Sequence, residues 1–408
     1  MPAATLDPTK KYLSASHPYS LKWGGVEIGF GAGKGYGVPY DSISVSEVGG
    51  NGASTINFTI LDAKRALSLP ALGRIQLIDH TVTLAGEMVF AGFAQGRRTI
   101  GGGAGPTGYA VEVKGTDYGY LLDTCYVPKL SYKAGYSDQA LVQGVVAHSA
   151  RHYDIVTHTA FCTSTNASMP AMDFGNMTLR AAIESIQAAA GANRKYYVDF
   201  LGRLHYFQGP TESAMGAAPA AITETPGGTN ASGLLIEYDE SQIVNAVYVV
   251  GANPAGTGWV KDEVSIKAYG LRQGSFDAPT CKSAAQLAST GAHFLALHKD
   301  PIVRGQFTLT GGPTTGWRVG QTLTLTSSTL GITAATYPIV QIDTIFVSGS
   351  GVRERTVYFG DLPASGRRRP NPRPVGSVGP SGGNALAAAN PAARTAGHSG
   401  APADATRL

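Results

Sequence analysis

The segment Thr178–Phe207, TLRAAIESIQAAAGANRKYYVDFLGRLHYF, constrains the fold more than any other stretch of the chain. Leu179, Ala182, Ile183, Ile186 and Ala190 recur at spacings of three and four, which places them on one face of a helix. Thr178 stands where an N-cap hydroxyl accepts a hydrogen bond from a free backbone N–H. Gly191 follows the last periodic residue, where a left-handed C-cap favours glycine. Tyr196–Asp199 and Arg203–Phe207, joined through Gly202, then read as a tight hairpin. Strand-rich sequence flanks this helix–hairpin unit on both sides. Two β regions around a small α/β insert point toward an assembly part rather than a catalytic pocket.

The first β region runs from about Ser20 to about Leu122. Strand signals lie at Ser42–Glu47, Ser54–Ile60, Arg74–Asp79, Gly86–Phe93 and Tyr109–Lys114. Ile56, Phe58 and Ile60 alternate with Asn57 and Thr59, so one face is buried and the other wet. Glycine-rich turns between such strands suit a small barrel or sandwich. The middle region, 123–226, has a second helix expected over Asp138–Ala150, with Leu141, Val145 and Val146 inward. Thr211–Asn230, rich in Ala, Pro, Gly and Thr, reads as a linker. The second β region has strand signals at Leu234–Tyr238, Val244–Val250, Val303–Thr310, Thr322–Thr326, Val340–Val347 and Arg355–Phe359. A helix interrupts them, opened by the capping-box pair Ser283 and Gln286, with Ala284, Leu287, Ala288, Phe294 and Leu297 as its apolar positions. A weak internal echo links Leu72–Leu77 to Val319–Leu323: in each, a glycine enters a strand of similar length. The expected units are therefore 1–122, 123–226, 227–362 and a tail, 363–408.

Charge separates the tail from the body. The chain carries +4 overall, yet Ala364–Leu408 alone holds six arginines against Asp404, which leaves the body about neutral. The basic balance is thus a property of the tail and does not argue for a nucleic-acid-binding body. The tail is too poor in apolar residues to offset its chain entropy and is expected to be disordered in isolation. Its cluster Arg367, Arg368, Arg369 and Arg373 has no aromatic residue to stack on bases and reads as solubilising, or as a contact for nucleic acid or an acidic protein groove. Charged residues make up only 15% of the chain and glycines number 53, a balance that suits a β protein with many turns. Cys125, Cys162 and Cys281 are sparse and odd in number, so they offer neither a disulfide framework nor a CxxC spacing, and a reducing compartment at synthesis is expected. The polar N-terminus is no secretory signal, and no run approaches the roughly 18 apolar residues of a membrane span.

The candidate chemical motifs fall short of their templates. Gly31, Gly33, Gly35 and Gly37 surround Lys34, but Tyr36 occupies the last position of GxGxxG and no GK[ST] follows. His148 and His152 are four apart with His158 beyond, yet no Glu adjoins His148 as in HExxH. Asp239-Glu240 and Asp262-Glu263 are adjacent pairs that read as solvated loop charge. No GxSxG elbow is present. No catalytic, cofactor or metal residue is assigned. The tyrosines, 19 in all, are the better interface signal, among them Tyr118, Tyr120, Tyr126, Tyr132, Tyr136, Tyr196, Tyr197 and Tyr206. Half-buried rims of a barrel would use tyrosine equally well.

Four segments, in this order, carry a family resemblance. They are Gly115–Asp123 (GTDYGYLLD) with Val127 and a helix from Ser137; the Leu179–Phe207 unit; Ile243–Gly251 followed by Asp262, Glu263, Ser265, Ile266, Tyr269 and Gly270; and Trp317–Leu325 ending in the strand near Val357. Together they resemble the tail hub (baseplate hub) proteins of tailed bacteriophages across about Ser20 to Leu362. The resemblance implies a mainly β fold with α/β insertions, in which two barrel-like tube domains are separated by a small helix–hairpin region. It implies a homotrimer whose ring matches a sixfold tail tube to a threefold tip. Expected partners are the tail tube or distal tail protein, the tape-measure protein, and fibre, spike or receptor-binding proteins. DNA would pass the lumen without specific binding. The expected place is the virion tail tip, after synthesis in the bacterial cytoplasm. The competing expectations are a tail-associated cell-wall hydrolase or peptidase, and a carbohydrate-binding tail protein using Trp259 or Trp317.

Overall fold

The computed structural model describes residues 19–29, 36–49, 52–62, 73–80, 87–101, 109–149, 155–157, 161–163, 168–190, 194–208, 215–225, 228–251, 256–278, 283–309, 316–346 and 353–360. The fold is mainly β. The first region supplies β1 (Tyr19–Trp23), β2 (Val26–Glu27), β3 (Tyr36–Gly37), β4 (Ser44–Val48), β5 (Thr55–Asp62), β6 (Arg74–Asp79), β7 (Glu87–Gly101) and β8 (Tyr109–Asp117). The middle region holds α1 (Gly119–Thr124), β9 (Tyr126–Val127), β10 (Leu130–Tyr132), α2 (Asp138–Ala147), β11 (Met172–Phe174), β12 (Met177–Thr178), α3 (Leu179–Ala190), β13 (Arg194–Val198) and β14 (Leu204–Gln208). The second region supplies β15 (Ile222–Thr225), β16 (Gly228–Thr229), β17 (Ser232–Asp239), β18 (Ala246–Gly251), β19 (Thr257–Lys261), α4 (Glu263–Tyr269), β20 (Gln273–Ala278) and α5 (Ala284–His298). It closes with β21 (Ile302–Leu309), β22 (Thr322–Ser327), β23 (Ile332–Phe346) and β24 (Arg353–Gly360).

The helix–hairpin unit follows its sequence logic. Thr178 Oγ1 accepts from Ala181 N at 3.2 Å, and Leu179, Ala182, Ile183 and Ile186 are buried. Gly202 sits at φ +76° in the turn between β13 and β14, a conformation costly for residues with a Cβ. Gly191 lies outside the described residues. The helix over Asp138 is capped by Ser137 and ends at Ala147, three residues before the expected Ala150. α2 and α3 share a core with Tyr196, Leu204 and Tyr206 of the hairpin and with Leu121 and Leu122 of α1, so the insert is anchored directly behind β8. The buried Arg194–Asp138 pair, at 2.7 Å, ties the hairpin to the start of α2.

The two β regions, expected as two barrel-like tube domains, share one fifteen-stranded sheet among the described residues. Eight of its strands form a ribbon in the order β7–β8–β5–β4–β23–β24–β21–β17, every pairing antiparallel. The first four come from the first region and the last four from the second, connected in the same way. Each half has a fifteen-residue strand, β7 or β23, that bends at a bulge: between Ala94 and Gly96 in one, between Ile339 and Gln341 in the other. In each, the preceding strand, β6 or β22, pairs with the early part of the long strand. Phe58 opposite Val113 matches Phe307 opposite Val357, and all four are buried. The described part of the echo, Gly73–Leu77 and Val319–Leu323, thus enters equivalent strands, β6 and β22, of a structural repeat.

Sequence patterning undercounts the strands. β7 continues well beyond Phe93, and the pattern misses this part since its residues Gln95–Ile100 are exposed and carry no apolar alternation. The expected linker Thr211–Asn230 is corrected in part: Ile222–Thr225 adds to the sheet parallel to β22, with Ile222 buried in the core. The second region also carries a small three-stranded sheet, β19–β18–β20, packed on α5 through Val247, Val249, Leu287 and Leu295. The tail, Gly31–Gly35, His152 and His158 lie outside the described residues.

Candidate functional site at the seam of the two β regions

β4 joins the halves by pairing with β23 over Gln341↔Val48 to Ile345↔Ser44. Gly49 N donates to Val340 O at 2.8 Å, and Ser46 Oγ donates to Asp343 Oδ1 at 2.6 Å. Behind this ladder lie charges that the repeat alone does not need. Arg318, just before β22, pairs with Glu47 of β4 at 3.7 Å and with Glu87 of β7, and donates to Met88 O at 2.8 Å. Arg353 of β24 pairs with Asp79 of β6 at 2.9 Å, both side chains almost wholly buried. Arg355 donates to Trp317 O at 3.2 Å. Burial, then the neighbouring Arg353 and Arg318, pulls its pKa down to about 9. Burial raises the Glu47 carboxyl above its usual range, against the pull of Arg318 and Arg355. Arg318 and Arg353 thus cross to acids of the first region, whereas Arg355 holds a carbonyl of its own half.

A cavity of about 500 Å³ opens beside this seam, lined in part by Glu47, Asp117, Phe200, Arg203, His205 and Arg318. Asp117 accepts from Ser54 N at 2.7 Å and from Gly119 N at 2.8 Å, which orients the start of α1. Burial outweighs those bonds and lifts its pKa to about 6. On the hairpin side, burial would raise Asp199, but hydrogen bonds from His205 and Arg203 hold it below its usual value. His205 stacks on Tyr197 with ring centroids 4.5 Å apart. The acids here hold backbone amides or arginines. Among the described residues, no group of three His, Cys, Asp or Glu side chains is placed to hold a metal, and no helix is long and apolar enough to cross a membrane.

No protein-family model and no curated protein matches the sequence. Solved structures do match the fold. The tail protein from Neisseria meningitidis MC58 aligns with a TM-score of 0.62 at 15% identity, covering 85% of this chain and 96% of its own. The 43 kDa tail protein of prophage MuSo2 from Shewanella oneidensis aligns at 0.62 and 13%, covering 84% and 96%. Prophage tail protein gp18 from Listeria monocytogenes EGD-e aligns at 0.53 and 10%, covering 80% and 89%. The chain has a phage tail-protein fold.

Within this tail-protein fold the singled-out residues take structural places. Asp262 caps α4 and pairs with Lys299 at 2.9 Å, and Asp239 caps a single helical turn through Ser241. His148 Nδ1 bonds Gly144 O at 2.8 Å at the end of α2. The tyrosines divide: Tyr118, Tyr196 and Tyr206 are core, whereas Tyr126 and Tyr136 are exposed. Asp123, from the GTDYGYLLD motif, holds Arg180 of α3 by two bonds of 2.5 and 2.9 Å. Trp317 is buried beneath the seam and is closed to a glycan, while Trp259 is 41% exposed beside Tyr248. Sequence reasoning passed over Arg318, Arg353 and Arg355. One signal was there for two of them: Arg353 and Arg355 share the strand parity of Val357 and Phe359, so they had to face inward.

Proposed function

We propose that this chain is a structural hub of a phage or phage-like tail tip. Three copies form a ring of six related β modules, two from each chain. The ring adapts a sixfold tail tube to a threefold tip and passes the tape-measure protein and then DNA. Each half would act as one tube domain, with 1–122 and 227–362 as its bounds and 123–226 as the insert between them. The observation that carries this reading is the repeated four-strand unit, joined edge to edge within one chain. A repeat with one internal seam suits propagation around an axis. The fold likeness to tail proteins of nearly the same length supports it. The seam's acids and arginines serve position rather than bond cleavage in this account.

Native mass spectrometry of the full chain tests it. The expected species is three times the chain mass of 42.3 kDa. A chain that stays monomeric and is missing from purified tails contradicts the proposal. Clearing of a peptidoglycan suspension, lost on one acidic substitution, would favour the hydrolase reading instead.

A further inference from the structure

The internal seam predicts the external one. In the ribbon β7–β8–β5–β4–β23–β24–β21–β17, the junction between halves is β4 on β23. β4 corresponds to β17, since Val45 opposite Ile56 matches Ile236 opposite Gly305. β23 corresponds to β7, since Gln341 follows the one bulge as Gly96 follows the other. The equivalent junction is therefore β17 on β7. Those strands stand at opposite ends of the ribbon, so a second copy must supply one of them. Among the described residues, no strand pairs with the further edge of β17, and none pairs with β7 at Gln95–Gly101 except β8. Both segments are exposed, with Ile100 at 42%, Leu235 at 57% and Tyr238 at 54%.

We propose that β17 of one copy adds antiparallel to β7 of the next, in the register copied from β4 on β23. Gln341↔Val48, Asp343↔Ser46 and Ile345↔Ser44 become Gly96↔Asp239, Arg98↔Glu237 and Ile100↔Leu235. The side chains fit this register. Arg98 lies opposite Glu112 on β8, and Glu237 lies opposite Arg304 on β21. Joining them makes a row Glu112–Arg98–Glu237–Arg304 of alternating sign across four strands, where opposite charges face one another at each step. The internal seam places the bonded pair Ser46–Asp343 at the same step. Ile100 and Leu235, both exposed, cover each other on the same face. Edge addition also satisfies the open N–H and C=O groups of both strands. This seam rests on the ring proposed above and names where the ring closes.

Cysteine pairs in the full chain test the register, in a Cys281→Ser background; Cys125 and Cys162 are buried. Directly opposed antiparallel residues have Cα atoms about 4.5–5.5 Å apart, within disulfide reach. Ile100→Cys with Leu235→Cys is expected to give reducible, chain-to-chain cross-links in most of the protein under mild oxidation. Ile100→Cys with Ile236→Cys, which shifts parity by one residue, is expected to give at least tenfold less. Glu237→Arg, which sets a cation between Arg98 and Arg304, is expected to weaken assembly about tenfold. Equal cross-linking by both cysteine pairs overturns the register. A trimer that forms with no cross-link in the first pair overturns this seam and leaves the ring standing. A chain that is monomeric at its highest soluble concentration, with wild-type circular dichroism, overturns the ring and the seam together.

Discussion

The two halves of the ribbon share a skeleton and differ in what fills it. On one row of the first half, Ile56 faces Gly115; on the same row of the second, Gly305 faces Phe359. Each pair joins one large and one absent side chain, with the roles exchanged between strands. A Cβ on Gly115 would meet Ile56 Cγ2 at 2.8 Å, and one on Gly305 would meet Phe359 Cζ at 2.1 Å. Conserving volume across the row preserves the sheet while the residues change. The halves also differ in charge. β24 carries Arg353 and Arg355 where β8 carries Tyr109 and Val111. The second half reaches out with Arg353, which is buried, and Arg318, which is partly buried, and the first half receives them with Asp79, Glu47 and Glu87. Apolar rows build each half; ion pairs set one half against the other.

The comparison breaks most readily at its charges and its paired phenylalanines. Arg353→Met strips the buried Asp79 of its arginine and is expected to cost about 3–5 kcal/mol, whereas Arg353→Met with Asp79→Leu recovers most of that loss. Urea denaturation of the full chain reads both. Phe58→Ala and Phe307→Ala are expected to cost about 3–5 kcal/mol each, and to be alike, because both rings fill the same place opposite a valine. A gap of more than about 2 kcal/mol between them would show that the halves do not share one packing plan. Gly305→Ala is expected to cost about 1–3 kcal/mol, since Phe359 must move from its rotamer. Phe359→Leu in the same chain should reduce that penalty.

The smallest effect concerns pH and sharpens the account of the cavity. Burial lifts the Asp117 carboxyl from its ordinary 3.8 to about 6 in the folded chain. A raised carboxyl means that the folded state holds the proton more tightly than the unfolded state. Its contribution is thus fully present below about 4 and is lost as pH rises through about 6. Asp117→Asn is expected to flatten that part of the stability profile, measured by thermal melts across the window. An unchanged slope would show that Asp117 is ionised throughout.

Much of this fold was legible because side-chain periodicity reports burial. α3 and the β13–β14 hairpin follow from spacing, a threonine cap and Gly202. β6 and β21 fall within a residue of their expected bounds. The later part of β7 was not legible, since an exposed edge strand has no apolar alternation to read. β15 hid in a linker-like composition, because four residues docked on β22 need only Ile222 to be buried. α4, too short to show a period, follows an aspartate cap that reads equally well as loop charge. The arginine seam was the hardest to see. Its partners are separated by hundreds of residues, and only the repeat brings Arg318 to Glu47 and Glu87. The repeat itself surfaced as one glycine-led echo, since skeleton and volume are kept while residue identities are not.

Imaging of the assembled ring tests the central claim most directly. Class averages of the purified oligomer, or of the tail tip with this chain labelled, are expected to show threefold symmetry with six similar sheet units around one lumen. Two-fold particles, or three units separated by three gaps where β17 and β7 should meet, would contradict it.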